Sequence, residues 1–155
     1  FLKEFDRLNQ TSYIVATTNL YKKLDKALSR RFDARINFDR YSQEILSKVG
    51  ESLVSTFLTT SKHSSKNITL LRKVFADAKL PLPGDLKNIV KTSIAFSDPA
   101  SQFNYIRRIH LALHDNKIFS ATELKERNFS IRDIEILIGV PKSSVARKIT
   151  EVTKK

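Results

Sequence analysis

The chain has 155 residues, 41% of them hydrophobic and 28% charged, with three glycines, which suits a buried core and excludes a disordered or low-complexity chain. Its formal net charge of +12 and pI of about 10.0 favour polyanionic partners, nucleic acid first. There is no cysteine, so disulfides and Cys-based zinc sites are excluded; no apolar run approaches the ~18 residues of a membrane span. With no signal-peptide pattern, a cytoplasmic protein is the default expectation.

In chain order, "FLKEFDRL" spaces Leu2, Phe5 and Leu8 along one helical face. Phe1 is not a methionine, and the helix is already under way there, so the chain reads as a fragment of something longer. "SYIVATT" is a continuous β-prone run of the kind found in strands covered on both faces. "KLDKALSRRF" is a short helix that Asp25 can cap, and "ARINF" (residues 34–38) alternates like a strand. Helix, strand, helix and strand in 40 residues predict part of an α/β layer.

From Tyr41 the period becomes helical. Ile45, Val49, Leu53 and Phe57 recur every four residues, with Leu46 and Leu58 widening the stripe. After the polar "TTSKHSSKN", Asn67 can cap a helix that turns Leu70, Leu71, Val74, Phe75 and Ala78 inward. Beyond "LPLPG", Asp85 can cap a third helix carrying Leu86, Ile89, Val90 and Ile94. "SDP" is expected to start a fourth, with Pro99 in its first turn and Phe103, Ile106, Ile109 and Leu113 inward. From about Ser120 a second helical group follows: Ser120 caps "ATELKER", Ser130 caps "IRDIEIL", and Gly139 breaks the chain before "PKSSVARKI".

The stretch "IVATTNLYKKLDKALSRRFDARINF", residues 14–38, resembles the region around sensor 1 and the arginine finger of AAA+ ATPases. In that family an apolar strand ends in Ala-Thr-Asn, a Leu-Asp-x-Ala-Leu helix follows, and arginines precede Phe-Asp. The four helices behind it are similar to the AAA+ lid, so the resemblance spans roughly residues 1–115. It implies Asn19 as the sensor 1 residue with Thr18 beside it, and Arg30 or Arg31 as a finger completing ATP bound by a neighbouring subunit. The chemistry suits those types: a neutral amide can hold a water or a γ-phosphate oxygen, and a guanidinium offers phosphate a rigid fork. The resemblance further implies ATP and Mg2+ as cofactors, a homo-oligomeric ring or filament, and remodelling of DNA or a DNA-bound complex. Two features depart from the family. Arg30 and Arg31 are adjacent where many relatives place Pro-Gly between them, and "PGDLKNIV" lacks the sensor 2 arginine, Lys87 being the nearest cation. No Gly-x-x-x-x-Gly-Lys-Ser/Thr loop exists in these residues, so ATP and Mg2+ would be bound mainly by a preceding part, and this chain alone is not expected to hydrolyse ATP.

"FSIRDIEILIGVPKSSVARKI", residues 129–149, resembles a helix-turn-helix of the kind found in resolvases and bacterial regulators. Ile131, Ile134 and Leu137 or Ile138 make an apolar face, Gly139 the turn, Val140 a plug, and Val145 with Ile149 seat the second helix. That helix would present Pro141, Lys142, Ser143, Ser144 and Arg147 to a major groove, with Arg132, Lys148, Lys154 and Lys155 on phosphates. A bundle that docks a protein is the alternative.

The remaining candidates are weaker. His110 and His114 stand four apart, a metal-compatible spacing, but "HLALH" brings no Cys or Glu; they read as a partly exposed structural pair, and no metal is assigned. His63 lies in the polar loop. Asp25, Asp33 and Asp39 form no carboxylate pair, and Tyr41 and Phe38 read as core. The fold class expected is mostly α: an α/β remnant of an AAA+ core with two strands (residues 1–40), a four-helix lid (41–118) and a helix-turn-helix unit (119–155). The competing functions are a non-enzymatic DNA-binding module and a protein-docking domain.

Overall fold

The computed structural model describes residues 13–38, 40–61 and 65–153. The expected opening helix at "FLKEFDRL", Asp39, His63, Lys154 and Lys155 lie outside them. The chain divides into two units, Phe1–Phe38 and Asp39–Lys155, and the described residues are mostly helical.

In the first unit a 3-10 turn over Tyr21–Lys23 precedes the short helix α1 (Lys26–Ser29). Asp25 caps α1 as its sequence implied, its carboxylate accepting the Ala27 and Leu28 N–H groups at 2.6 and 3.4 Å. Arg35 stacks on Tyr21, 4.0 Å from the ring centre. The two expected strands are not formed: residues 14–18 and 34–37 carry no strand pairing, and Tyr13, Val15, Ile36 and Phe38 are exposed. A β-prone run becomes a strand when a ladder satisfies its N–H and C=O groups, and these two short runs have no such ladder among the described residues. Phe38 therefore is not a core residue, whereas Tyr41 is half-buried against the core of the second unit.

The second unit holds seven helices among the described residues. The first four are α2 (Gln43–Thr60), α3 (Ile68–Asp77), α4 (Pro83–Ala95) and α5 (Asn104–Leu113). Helix α2 packs on α3 and α4, while α5 packs on α3 and α4. Ser42 caps α2 and Asn67 caps α3. The buried line of α2 is Leu46, Gly50, Val54 and Leu58, one residue round from the expected Ile45–Val49–Leu53–Phe57 line; Ile45 is 46% exposed. Gly50 explains the rotation. The Phe75 ring of α3 lies against its backbone, where a Cβ would come within 2.6 Å of Cε2. The bare glycine face is thus the one that admits closest approach, and Leu46, Val54 and Leu58 follow it inward.

Two helix starts differ from expectation. Asp85 does not cap α4; the helix begins at Pro83 with Leu82 before it, and Asp85 sits in the first turn, favourable at the positive dipole end. Pro99 is not in the first turn of α5, because Asp98 closes a separate turn by accepting the Ala100 N–H at 2.9 Å, and the helix starts at Asn104. The inward sets are otherwise much as the spacing implied: Leu70, Leu71, Val74, Phe75, Ala78, Leu86, Val90, Ile94, Ile106 and Ile109 are buried. Gln43 clamps the α3–α4 connection by accepting the Leu80 N–H at 2.9 Å.

The last three helices are α6 (Ala121–Glu126), α7 (Ile131–Ile138) and α8 (Lys142–Thr153), each packed on the other two. Ser120 and Ser130 both form capping boxes, with Glu123 and Asp133 as reciprocal partners. Helix α7 also packs on α5. One continuous apolar cluster runs from Leu46 through Phe119, Phe129 and Leu137 to Val145, so the two helical groups share a core. No helix of the described residues is long and apolar enough to cross a membrane.

Candidate nucleic-acid interface

The candidate interface is built on α7 and α8. Gly139 ends α7 in the left-handed conformation, φ +78°, and donates its N–H to the Glu135 carbonyl at 2.8 Å. Val140 is half-buried at the bend, Val145 is fully buried and Ile149 half-buried, so α8 is seated by one apolar edge. The α-helical period then places Lys142, Ser143, Arg147 and Lys148 outward, and all four are exposed. Ser144 is half-buried beside Val145. Arg132, in the first turn of α7, is exposed as well.

The sequence did not reveal three residues that shape this element. Glu135 on α7 accepts the Lys142 N–H at 3.0 Å, so a carboxylate already occupies the N-terminus of α8. Arg107 of α5 lies over Gly139, where any added Cβ would collide with its guanidinium. Lys73 of α3 holds Asp133 at 2.7 Å and so ties the start of α7 to the four-helix group. Burial alone would raise the Asp133 carboxyl; the hydrogen bonds from Lys73 and Ser130 outweigh it and hold the group below its ordinary range.

The residues singled out by the AAA+ resemblance occupy the first unit. Thr18 Oγ1 accepts the Leu20 N–H at 2.9 Å, and Asn19 is exposed on the bend it stabilises. Arg30 follows α1 as its C-terminal cap residue and is exposed. Arg31 is half-buried and folds back, its Nη1 donating to the Ala27 carbonyl at 2.8 Å. The two arginines thus differ in posture: Arg30 projects from the end of the helix, and Arg31 closes it. Asn19 precedes the 3-10 turn and the arginines follow α1, so the turn and α1 separate the two candidate groups along the chain.

One further cluster carries ligating atoms. His110 of α5 and His114, the residue that caps its C-terminus, meet Asp77, the last residue of α3. The expected partly exposed pair is split: His110 is buried, its side chain 2% exposed, while His114 is partly exposed at 14%. Burial, then the neighbouring His114, push His110 down to about 4, against the pull of Asp77 and with Arg127 adding to the lowering. No protein-family model, curated protein or solved structure matches the chain.

Proposed function

We propose that the chain is the lid and DNA-binding portion of an AAA+ ATPase, coupling ATP turnover to the remodelling of DNA or a DNA-bound complex, with α7 and α8 docking on the duplex. The observation that carries the DNA-binding half is the posture of α8: Val145 is fully buried while Lys142, Ser143, Arg147 and Lys148 are exposed, behind a left-handed Gly139. A net charge of +12 supplies the field that draws a polyanion in. Ser143 with Lys142 would face base edges or phosphates, and Arg147, Lys148 and Arg132 phosphates.

The ATPase half rests on the resemblance of residues 14–38. The described residues do not fit a complete nucleotide site. The glycines stand at 50, 84 and 139, so these residues hold no phosphate loop, and Thr18 and Asn19 lie on exposed backbone with no sheet around them among the described residues. ATP and Mg2+ would be held by residues beyond these, Asn19 facing the γ-phosphate and Arg30 or Arg31 completing a neighbour's site in a homo-oligomer. A second reading, carried by the posture of α8 alone, is a DNA-binding module without enzymatic activity.

Fluorescence anisotropy with a labelled duplex between about 50 and 200 mM salt tests the DNA-binding half. The intact chain binds with a steep salt dependence, and combined Lys142→Ala, Arg147→Ala and Lys148→Ala flattens the log–log slope by about one for each phosphate contact removed. Unchanged affinity and slope in that variant overturn it. An ATP-dependent change in DNA affinity of the chain joined to a phosphate-loop partner, lost on Arg30→Ala with Arg31→Ala, separates the ATPase reading from the module reading.

A further inference from the structure

Asp77 and the two histidines come from different helices, yet their ligating atoms converge. Asp77 Oδ2 lies 3.0 Å from His114 Nε2 and 3.8 Å from His110 Nε2, and the three donor atoms all fall within 4.8 Å of one another. Four tetrahedral ligands at about 2.0–2.1 Å from zinc stand about 3.3 Å apart, a value that the carboxylate–imidazole separations of 3.0 and 3.8 Å bracket.

Neither imidazole Nε2 has a hydrogen-bond partner, although both are buried. The 3.0 Å approach of His114 to the carboxylate does not align an N–H with the oxygen. If protons sit on these nitrogens, two buried N–H groups lack an aligned acceptor; if lone pairs do, three acceptors crowd one point. A bound cation resolves the second arrangement, and buried polar atoms without partners are uncommon enough to require such an account.

The surroundings fit. Arg127 donates to Asp77, at 3.0 Å to Oδ1 and 3.2 Å to Oδ2, the kind of outer hydrogen bond that orients a ligating carboxylate. Phe119 packs against both imidazoles, with ring centres 5.5 and 5.0 Å from His110 and His114, and Phe129 lies 6.0 Å from His110. These rings exclude water from the histidine side.

We propose that Asp77 Oδ2, His110 Nε2 and His114 Nε2 form a three-ligand site for a divalent transition metal of the zinc class, with water as the fourth ligand. Two imidazoles and one carboxylate are a borderline donor set that suits Zn2+ over Mg2+ or Ca2+. The metal staples α3 to α5 at the place where Arg127 and Phe129 bring in the last three helices, and the site does not depend on the DNA-binding or ATPase readings.

The test is titration of the metal-free full chain with Co2+ and Zn2+. Expected are one equivalent bound, the intense visible bands of tetrahedral Co2+, displacement by Zn2+, and a rise in Tm with added Zn2+. In the unmodified chain, imidazole 15N shifts should report Nε2 of His110 and His114 as the bound atoms. His114→Asn should weaken Zn2+ binding by at least about 100-fold, more than loss of an outer hydrogen bond does, while His63→Asn changes nothing. The 15N readout needs no variant, so a poorly folded His114→Asn leaves the proposal open to refutation. No stoichiometric uptake at micromolar metal, octahedral Co2+ bands, imidazole shifts that do not respond, or binding lost with His63→Asn overturns it.

Discussion

Lys73 Nζ stands 2.7 Å from Asp133 Oδ2, and the same carboxylate oxygen accepts the Ser130 N–H at 2.9 Å. One side chain therefore completes the cap of α7 and ties it to α3, adding a polar anchor to the apolar packing that seats the candidate DNA-binding element. Asp133→Asn should cost about 1–3 kcal/mol in urea denaturation, since it removes a charge-assisted bond and leaves a buried group short of partners. The folded carboxyl titrates below its ordinary value of 3.8. Its stabilisation is therefore present above about pH 4 and is lost as pH falls through the lower folded value. Urea curves at falling pH should show wild type losing its advantage over Asp133→Asn below pH 4; a constant gap refutes the assignment.

Gly50 meets Phe75 with no room for a side chain, a Cβ falling 2.6 and 2.7 Å from Cε2 and Cζ. Gly50→Ala gains about 1 kcal/mol of helix propensity, but overpacking costs about 1–3 kcal/mol, and Phe75 is fully enclosed. Net destabilisation is expected. Adding Phe75→Leu should make the double variant more stable than the sum of the two single changes, measurable as a double-mutant cycle.

Gly139 carries a double constraint, positive φ and the Arg107 guanidinium above it. Gly139→Ala should lose about 1–2 kcal/mol from the left-handed backbone, and little more from the collision, because the guanidinium is the mobile end of a long side chain. Arg107→Ala in the same chain relieves the collision alone, so thermal melts of the pair separate the two terms. If Arg107→Ala recovers nothing, the guanidinium yields freely and backbone strain is the whole cost.

Glu135 places a carboxylate on the first turn of α8, where a phosphate would otherwise find helix N–H groups. Glu135→Gln keeps a hydrogen-bond acceptor and removes the charge. On the DNA-binding reading it should tighten duplex binding several-fold at low salt, with the gain shrinking as salt rises. Weaker binding, or a gain independent of salt, counts against α8 as the docking helix.

Much of the helical architecture was legible because its signals are local. Asp25, Asn67, Ser120, Ser130 and Gly139 act on backbone groups two to four residues away, and each does what its type and position imply. Where two local signals competed, the outcome was not legible. Asp85 and Pro83 both mark a helix start, and proline, which needs no N–H partner, takes the first position. Asp98 spends its carboxylate on its own turn and leaves α5 to begin six residues later, at Asn104.

The posture of α8 was legible in the main, since Val145 and Ile149 mark its seated edge and leave Lys142, Ser143, Arg147 and Lys148 outward by helical geometry, but Ser144, expected outward, is half-buried beside Val145. The β-prone runs at 14–18 and 34–38 show the limit, because a strand is a property of its neighbours as well as of its own residues.

The sequence by itself determined the mostly helical character, the caps, the turn at Gly139 and the basic excess, all of which follow from composition or from contacts within a few residues. Tertiary structure alone decided which line of α2 faces inward, because Phe75 must find a backbone bare enough to lie on, and Gly50 offers it. It also joined Lys73 to Asp133 and Asp77 to His110 and His114. Helical spacing brings residues three or four apart together; groups 33 or more positions distant meet through packing of separate helices, which no local period encodes.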